Sequence, residues 1–255
     1  MTDRYDGPAL PPVDAIGGTT GAPASMTTPE LLAGLLADGD DELAAWALAN
    51  ALRELPRAEV YDGVLRDTMR LVGRRWVDGQ WGIAEEHIAS RTLVRALDRV
   101  APRPGPEARV GPLAVIAGLQ GEHHVLGLTC LAHVLGEAGW TVVDLGADEP
   151  AADLGRFVGR ARPALVALTA ATTDRIDALG EAVHAVRAAS GDQPPSIVLG
   201  GRLAEEPERV GALALDWVGT SLVDLGAYAQ ALRERLEAEG RAWNGGYEAE
   251  DTLPG

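Results

Sequence analysis

From Leu113 onward, short and continuously apolar runs alternate with longer segments of helical composition. Apolar runs that lack polar alternation are typical of strands buried on both faces, and such strands occur in parallel sheets covered by helices. The runs lie at residues 113–119, 140–145, 164–168, 197–199 and 217–219. This alternation predicts an α/β domain with a Rossmann-like, doubly wound sheet of five parallel strands.

Upstream of that alternation, apolar residues recur at the spacing of helices instead. Residues 31–36 and 43–52 match two short helices, parted by Gly39 and Asp40. A longer helix is expected from Pro56 to Gly79, because proline is favoured in a first helical turn and glycine often follows a last one. A fourth helix is expected from Gly82 to about Val100. Four helices with short connections predict an N-terminal four-helix bundle.

Composition along the chain predicts five segments. Residues 1–27 are rich in proline, glycine and threonine without an apolar period, so we expect a disordered leader. Residues 28–100 are the four-helix bundle. Residues 101–111 contain three prolines and two glycines, which suits a linker. Residues 112–238 form the Rossmann-like domain, and residues 239–255 form a polar tail.

The charge balance excludes some classes of partner. Arginines number 22 against 38 carboxylates, and the net charge of −16 argues against direct binding of nucleic acid, whose affinity comes largely from basic side chains. No apolar run approaches the ~20 residues that span a bilayer, so we expect no membrane segment. The N-terminus lacks an export signal and Cys130 is the single cysteine, which together predict a cytoplasmic protein.

Ligands of doubly wound sheets bind beyond the carboxyl ends of the strands, which directs attention to the loops that follow them. Small and hydroxyl-bearing residues stand in three of these loops: Thr169, Gly200, Gly201, Gly219 and Thr220.

The loop after the first strand carries Glu122-x-His124-x-x-Gly127. An imidazole there can bind a metal through one nitrogen while the glutamate accepts the other N–H and fixes the tautomer. No second cluster supplies the three or four ligands that zinc requires, so the pattern fits a metal held mainly by a macrocycle. The alternative is an acidic first turn of a helix with incidental histidines.

The Glu122-x-His124-x-x-Gly127 motif, with the later Gly200-Gly201 pair, resembles the cobalamin-binding domain of corrinoid methyl carriers and of CarH/LitR-type light sensors. The resemblance implies that His124 is the lower axial ligand of cobalt, in place of the cofactor's own dimethylbenzimidazole base. It also implies that Glu122 hydrogen-bonds this histidine, and that the displaced base enters a slot lined by Thr169 and the glycine pair. Methyl carriers usually have aspartate at the glutamate position, which favours the sensor branch.

Residues 76–90 resemble the bundle signature of the same light sensors, in which a tryptophan is followed ten residues later by Glu-His and then by Ala-Ser. The resemblance implies that Trp76, Ile83, Glu86 and His87 cover the upper face of the cofactor and shelter its adenosyl group. The last three lie at i, i+3 and i+4, on one helical face. The alternative is that the tryptophan is a core residue and the Glu-His pair is solvated.

The resemblance therefore implies a stand-alone, photocobilin-like sensor that lacks a DNA-binding domain and has no enzymatic activity. It would bind adenosylcobalamin, and photolysis would drive a domain or oligomer rearrangement in a homo-oligomer that signals to an unknown effector. Biliverdin is a possible second chromophore. Val77 stands where some sensors place a second histidine, so His87 or water would take the vacated cobalt position. The alternatives are a corrinoid methyl carrier of a methyltransferase system and a cobalamin storage or redox module.

Overall fold

The computed structural model describes residues 27–101 and 111–240. The chain divides into two compact units, Met1–Arg103 and Pro104–Gly255. The predicted leader (1–27), linker (101–111) and tail (239–255) lie almost wholly outside the described residues, so their boundaries stay predictions.

The first unit is helical, as the spacing of its apolar residues predicts. Its core contains leucines with no exposed surface, among them Leu32, Leu48 and Leu93. The helices are α1 (Pro29–Ala37), α2 (Asp41–Glu54), α3 (Arg57–Val60), α4 (Arg66–Val77) and α5 (Ile83–Val100), with one π-helical turn at Tyr61–Leu65 between α3 and α4.

The ends of these helices follow from local side-chain chemistry. Thr28 and Asp40 cap α1 and α2, because their side chains accept hydrogen bonds from the free N–H groups of the first turns. The break predicted at Gly39 and Asp40 is therefore confirmed. The helix predicted from Pro56 to Gly79 is a run of three helical segments, because the π turn inserts a wider ring of hydrogen bonds into it.

An ion-pair cluster joins α2 to α5 in this unit. Asp41 accepts hydrogen bonds from Arg99 Nε at 2.6 Å and from Arg95 Nε at 3.4 Å. The bond from Arg99 holds the pKa of the Asp41 carboxyl below its usual value, against a smaller opposing effect of desolvation, and Arg95 adds to the lowering.

The second unit contains a five-stranded sheet, and all of its neighbouring strands are parallel. The strand order β2-β1-β3-β4-β5 is that of a doubly wound sheet, which confirms the predicted fold class. The strands are β1 (Leu113–Gly118), β2 (Thr141–Asp144), β3 (Leu165–Thr169), β4 (Ser196–Gly200) and β5 (Trp217–Val218).

Helices cover both faces of the sheet. The helices of this unit are α6 (Leu126–Glu137), α7 (Ala151–Ala161), α8 (Ile176–Ala189), α9 (Pro207–Val210) and α10 (Leu222–Ala238). Ile116 and Leu165 face the layer of α6 and α10, whereas Val115 and Val166 face the opposite layer of α7 and α8. Across both described ranges, no helix has the length and apolarity needed to traverse a bilayer.

Candidate functional site

The carboxyl edge of the sheet includes a point, between β1 and β3, from which the chain proceeds in opposite directions, because β2 lies beyond β1 on one side and β4 lies beyond β3 on the other. The β1–α6 connection leads to one face of the sheet, and the connection from the adjacent β3 to α8 leads to the other. Such a switch point leaves a crevice in which ligands of this fold class bind. The loop that carries His124 follows β1, so the chain order places this histidine at the switch point.

Glu122 and His124 form a hydrogen-bonded pair at this crevice. Glu122 Oε1 contacts His124 Nδ1 and also accepts the backbone N–H of His124 at 3.0 Å. Glu122 Oε2 accepts the backbone N–H of Ala171, which lies directly beyond β3, at 2.5 Å. The carboxylate therefore ties the histidine to the neighbouring loop.

The burial of Glu122 is compensated by these bonds. Its side chain is 2% exposed, and desolvation by itself would raise the pKa of the carboxyl. The hydrogen bonds from His124 and Ala171 outweigh that effect and hold the pKa below its usual value. Glu122 is thus a buried anion that fixes the orientation of its histidine partner.

The His124 ring has one nitrogen engaged and one available. Its side chain is 67% exposed while Nδ1 contacts the glutamate. With the proton on Nδ1, the lone pair lies on Nε2, which is the form of imidazole that binds a metal. The alternative of an acidic first turn is wrong, because α6 begins at Leu126 and its first turn contains no acidic residue.

Thr169 and Gly200 end two neighbouring strands and lie opposite each other in the register. Since Leu165 and Val198 face α6 and α10, the alternation along each strand places Thr169 and Gly200 on that same face. Thr169 Oγ1 is buried and has no hydrogen-bond partner within the described part of the chain. A buried hydroxyl without a partner suits a site that a polar ligand completes.

Gly201 and Gly127 both lie at this edge, but only Gly201 has a backbone conformation and surroundings that exclude a side chain. Gly201 has φ +85°, and a Cβ there would lie 2.3 Å from the Ala170 carbonyl oxygen. Gly127, in the first turn of α6, has no atom within 4 Å of the position of a Cβ. Gly219 and Thr220 follow β5 and precede α10. Gly201 is therefore needed for folding, whereas Gly127 leaves open space beside the His124 loop.

The four residues predicted to cover the cofactor lie at the end of α4 and in the first turns of α5. Trp76 is 49% exposed and Ile83 is 63% exposed, so neither is a core residue. Glu86 accepts a hydrogen bond from Ser90 Oγ at 2.7 Å, and its Oε2 lies 3.6 Å from His87 Nε2. These residues form part of an accessible surface of the helical unit, and the alternative of a core tryptophan is wrong.

The contribution of Ala171 was missed by sequence reasoning. Alanine offers no side-chain signal, and its backbone N–H lies 49 residues from the glutamate that it binds. Only the strand order, which makes β1 and β3 neighbours, brings the two loops together.

Two family models match the chain, and both describe a B12 binding domain. One matches residues 30–100, which correspond to the helical unit, and the other matches residues 112–220 of the sheet unit. The matched ranges contain all twelve predicted site residues.

Two curated relatives come from Myxococcus xanthus. The chain is 39% identical over 108 residues to the HTH-type transcriptional repressor CarA, a match that covers 42% of this chain and 35% of CarA. It is 35% identical over 123 residues to the HTH-type transcriptional repressor CarH, which covers 48% of this chain and 40% of CarH. The similarity thus spans less than half of each relative.

A solved structure, the monomethylamine corrinoid protein of Methanosarcina barkeri, has the same fold. Its TM-score is 0.64 at 15% identity, and the match covers 79% of this chain and 96% of that chain. The helical unit and the sheet unit are thus each similar to a B12 binding domain, and the corrinoid protein shows that the fold occurs in a solved structure.

Proposed function

We propose that this protein is a light sensor that binds adenosylcobalamin with His124 as the lower ligand of cobalt. The observation that carries the proposal is the His124 imidazole, which the buried Glu122 orients while Nε2 stays accessible. The matched B12-binding families supply the class of cofactor.

The residues at the sheet edge fit such a cofactor. His124 would hold the metal through Nε2, and Glu122 would keep the proton on Nδ1. The partnerless hydroxyl of Thr169 would find an acceptor or donor in the displaced nucleotide tail, next to Gly200, where a Cβ would approach only the Gly219 carbonyl at 3.8 Å. Gly127 would leave room for the corrin ring, and Gly201, Gly219 and Thr220 would line the tail slot.

The helical unit would supply the residues that respond. Bound adenosylcobalamin supplies a cobalt–carbon bond that visible light breaks. Trp76, Ile83, Glu86 and His87 would contact the adenosyl group in darkness, and their present exposure leaves them accessible for such contacts. Loss of those contacts in the light would remove the preference for one conformation, so the domain arrangement or the oligomer would change.

The sensor assignment goes beyond the cobalamin binding that the comparisons support, because a corrinoid methyl carrier would use the same histidine. Two features favour the sensor: glutamate rather than aspartate at position 122, and an exposed Trp76 in the helical unit. A carrier must leave the upper face open to methyl donors and acceptors. Neither the described residues nor the matched families point to a bilin, so we propose none.

The deciding experiment reconstitutes the protein with adenosylcobalamin in darkness and measures its hydrodynamic radius before and after green light. Light also cleaves the free cofactor, so the change in radius decides the matter and the absorption change does not. A sensor changes its radius. A carrier keeps the same radius in darkness and in light. An unchanged radius, together with transfer of the methyl group from bound methylcobalamin to a thiol, would assign the carrier instead.

Two variants test the ligand in the same samples. We expect His124→Ala to lose the absorption spectrum of histidine-ligated, base-off cobalamin, because no other imidazole is held by Glu122. His123→Ala is the matched control, since it removes an adjacent exposed histidine. Loss of the spectrum in the control and not in His124→Ala would overturn the assignment.

A further inference from the structure

Gly121, which immediately precedes the Glu122–His124 pair, is held from two neighbouring loops. Its N–H donates a hydrogen bond to Asp148 Oδ1 at 2.6 Å, and Asp148 lies in the loop between β2 and α7. Arg175, which lies between β3 and α8, packs on its other side. No sequence motif joins these three residues, which are 27 and 54 positions apart.

The Arg175 guanidinium occupies the space that a side chain at position 121 would fill. A Cβ on Gly121 would lie 2.7 Å from Arg175 Nη1 and 2.9 Å from Cζ. The Arg175 side chain is 32% exposed, so most of it is packed. Gly121 also has φ +80°, a conformation that glycine adopts without strain. The backbone conformation therefore requires glycine here, and the guanidinium fills the space beside it.

Asp148 also has a left-handed backbone, with φ 59°. Most residues with a Cβ lose about 1 kcal/mol or more in this conformation, and aspartate is among the few that adopt it routinely, because its side chain can hydrogen-bond nearby. This left-handed residue is the one whose carboxylate reaches Gly121, so the backbone conformation and the hydrogen bond belong to one arrangement.

We propose that Asp148 and Arg175 are positioning residues that clamp Gly121 and thereby fix the direction in which the His124 imidazole is presented. Glu122 anchors the loop to Ala171 on one side. Asp148, in the β2–α7 connection, anchors the preceding residue on the other side, so the loop is held from both neighbouring connections. Arg175 fills the space beside Gly121 from the same connection as Ala171. The role in cofactor binding rests on the proposed function, whereas the mechanical role is a property of the protein alone.

The mechanical role is tested by amide hydrogen exchange of residues 119–125 in the cofactor-free protein. Asp148→Gly removes the acceptor and accepts the left-handed backbone, so the fold is retained. We expect exchange of this segment to become about tenfold faster, as for loss of one charge-assisted hydrogen bond. Asp148→Asn keeps an acceptor oxygen and tolerates the left-handed backbone, so it should exchange like the original protein.

Arg175→Ala should accelerate exchange in the same segment, because it opens space beside Gly121. Arg156→Ala is the matched control, since Arg156 pairs with Asp153 on the surface of α7. Unchanged exchange in both Asp148→Gly and Arg175→Ala would overturn the clamp.

The link to the histidine is tested with cobalamin. Asp148→Gly and Arg175→Ala should lower the affinity about tenfold and reduce the histidine-ligated fraction, and Asp148→Asn should restore both, because a one-ångström error in ligand placement is costly. A mobile loop with unchanged affinity and spectrum would overturn the positioning role. If the clamp variants loosen the loop while His124→Ala leaves cobalamin binding unaltered, the proposed function fails and the clamp stands.

Discussion

The histidine at the sheet edge and the histidine of the helical unit are almost equally exposed, but their carboxylate partners differ. His124 contacts a carboxylate that is 2% exposed and that is bonded to a second loop. His87 is 68% exposed, and its nearest carboxylate, on Glu86, is 3.6 Å away and itself 31% exposed. The first pair is held by the fold before any ligand binds, whereas the second is held by little more than its own helix.

Under the proposed function, this difference corresponds to two separate roles, binding of the metal and response to the bound cofactor. A metal ligand gains affinity when its orientation is fixed in advance, because less conformational freedom is lost on binding. Residues that respond to a ligand must instead be able to change their contacts. A contact shifts the equilibrium between two conformations only when it exists in one conformation and not in the other. Under the proposed function, the sheet unit would therefore anchor the cofactor and the helical unit would provide the responsive surface.

The largest expected effect lies in the rigid region. Gly201→Ala places a Cβ 2.3 Å from the Ala170 carbonyl and forces φ +85° on alanine, so we expect a loss of about 3 kcal/mol in the free energy of unfolding. Gly127→Ala, where nothing lies within 4 Å, should stabilise the apo protein slightly and yet weaken cobalamin binding. Urea unfolding and cobalamin titration measure both. Equal free energies of unfolding for Gly201→Ala and Gly127→Ala would show that this edge is less rigid than its geometry indicates.

The carboxylates of the two regions should differ next. Glu122→Ala leaves the part-buried backbone N–H groups of His124 and Ala171 without acceptors and should cost about 2 kcal/mol. Glu86→Ala, on the exposed α5 surface, should cost less than about 0.5 kcal/mol. Chemical denaturation of the two variants compares them directly. A similar loss of unfolding free energy in Glu122→Ala and Glu86→Ala would contradict the difference between the two regions.

A smaller effect on stability is expected for the exposed indole. Trp76→Ala removes a side chain that is 49% exposed, so the free energy of unfolding should fall by about 1 kcal/mol or less. The light-dependent change in hydrodynamic radius should be lost, however, while Trp76→Phe should retain part of it. A full light response in Trp76→Ala would mean that this surface is not the responsive one.

The smallest effect concerns Asp41 in the helical unit. Its pKa is lowered in the folded protein, so its pairing with Arg99 and Arg95 stabilises above the unfolded-state pKa near 3.8 and is lost as the pH falls through the lower folded value. Asp41→Asn should therefore cost about 0.5 kcal/mol at pH 7, and this cost should shrink as the pH falls below 3.8. Thermal unfolding across pH 2–7 tests the sign. A stability difference between Asp41→Asn and the original protein that grows as the pH falls would contradict the lowered pKa of Asp41.

The sequence predicts the elements better than the contacts between them. The apolar runs locate all five strands because buried parallel strands have a distinctive pattern, and Gly39-Asp40 locates a helix break because its chemistry is local. The π turn at Tyr61–Leu65 has no comparable local signal, since its residues fit an ordinary helix.

The site shows the same limit. The pairing of Glu122 with His124 is visible in the spacing, because residues two apart in a loop can meet. The third hydrogen bond of the glutamate, from Ala171, and the approach of Asp148 to Gly121 depend on the order of the strands. Backbone donors leave no trace in residue type, so only the assembled sheet reveals them.

If the nucleotide tail lies beside Thr169 and Gly200, as we propose, these two residues also bear on which corrinoids the protein accepts. Bulk at position 200 would then narrow the space on the α6 and α10 face, and because His124 lies in a different loop, admission of the tail and ligation of cobalt would be separable. A Gly200→Val protein should discriminate against the complete vitamin while still accepting cobinamide, its truncated relative without a tail. The preference of the protein among corrinoids would then be set by a single position remote from the metal.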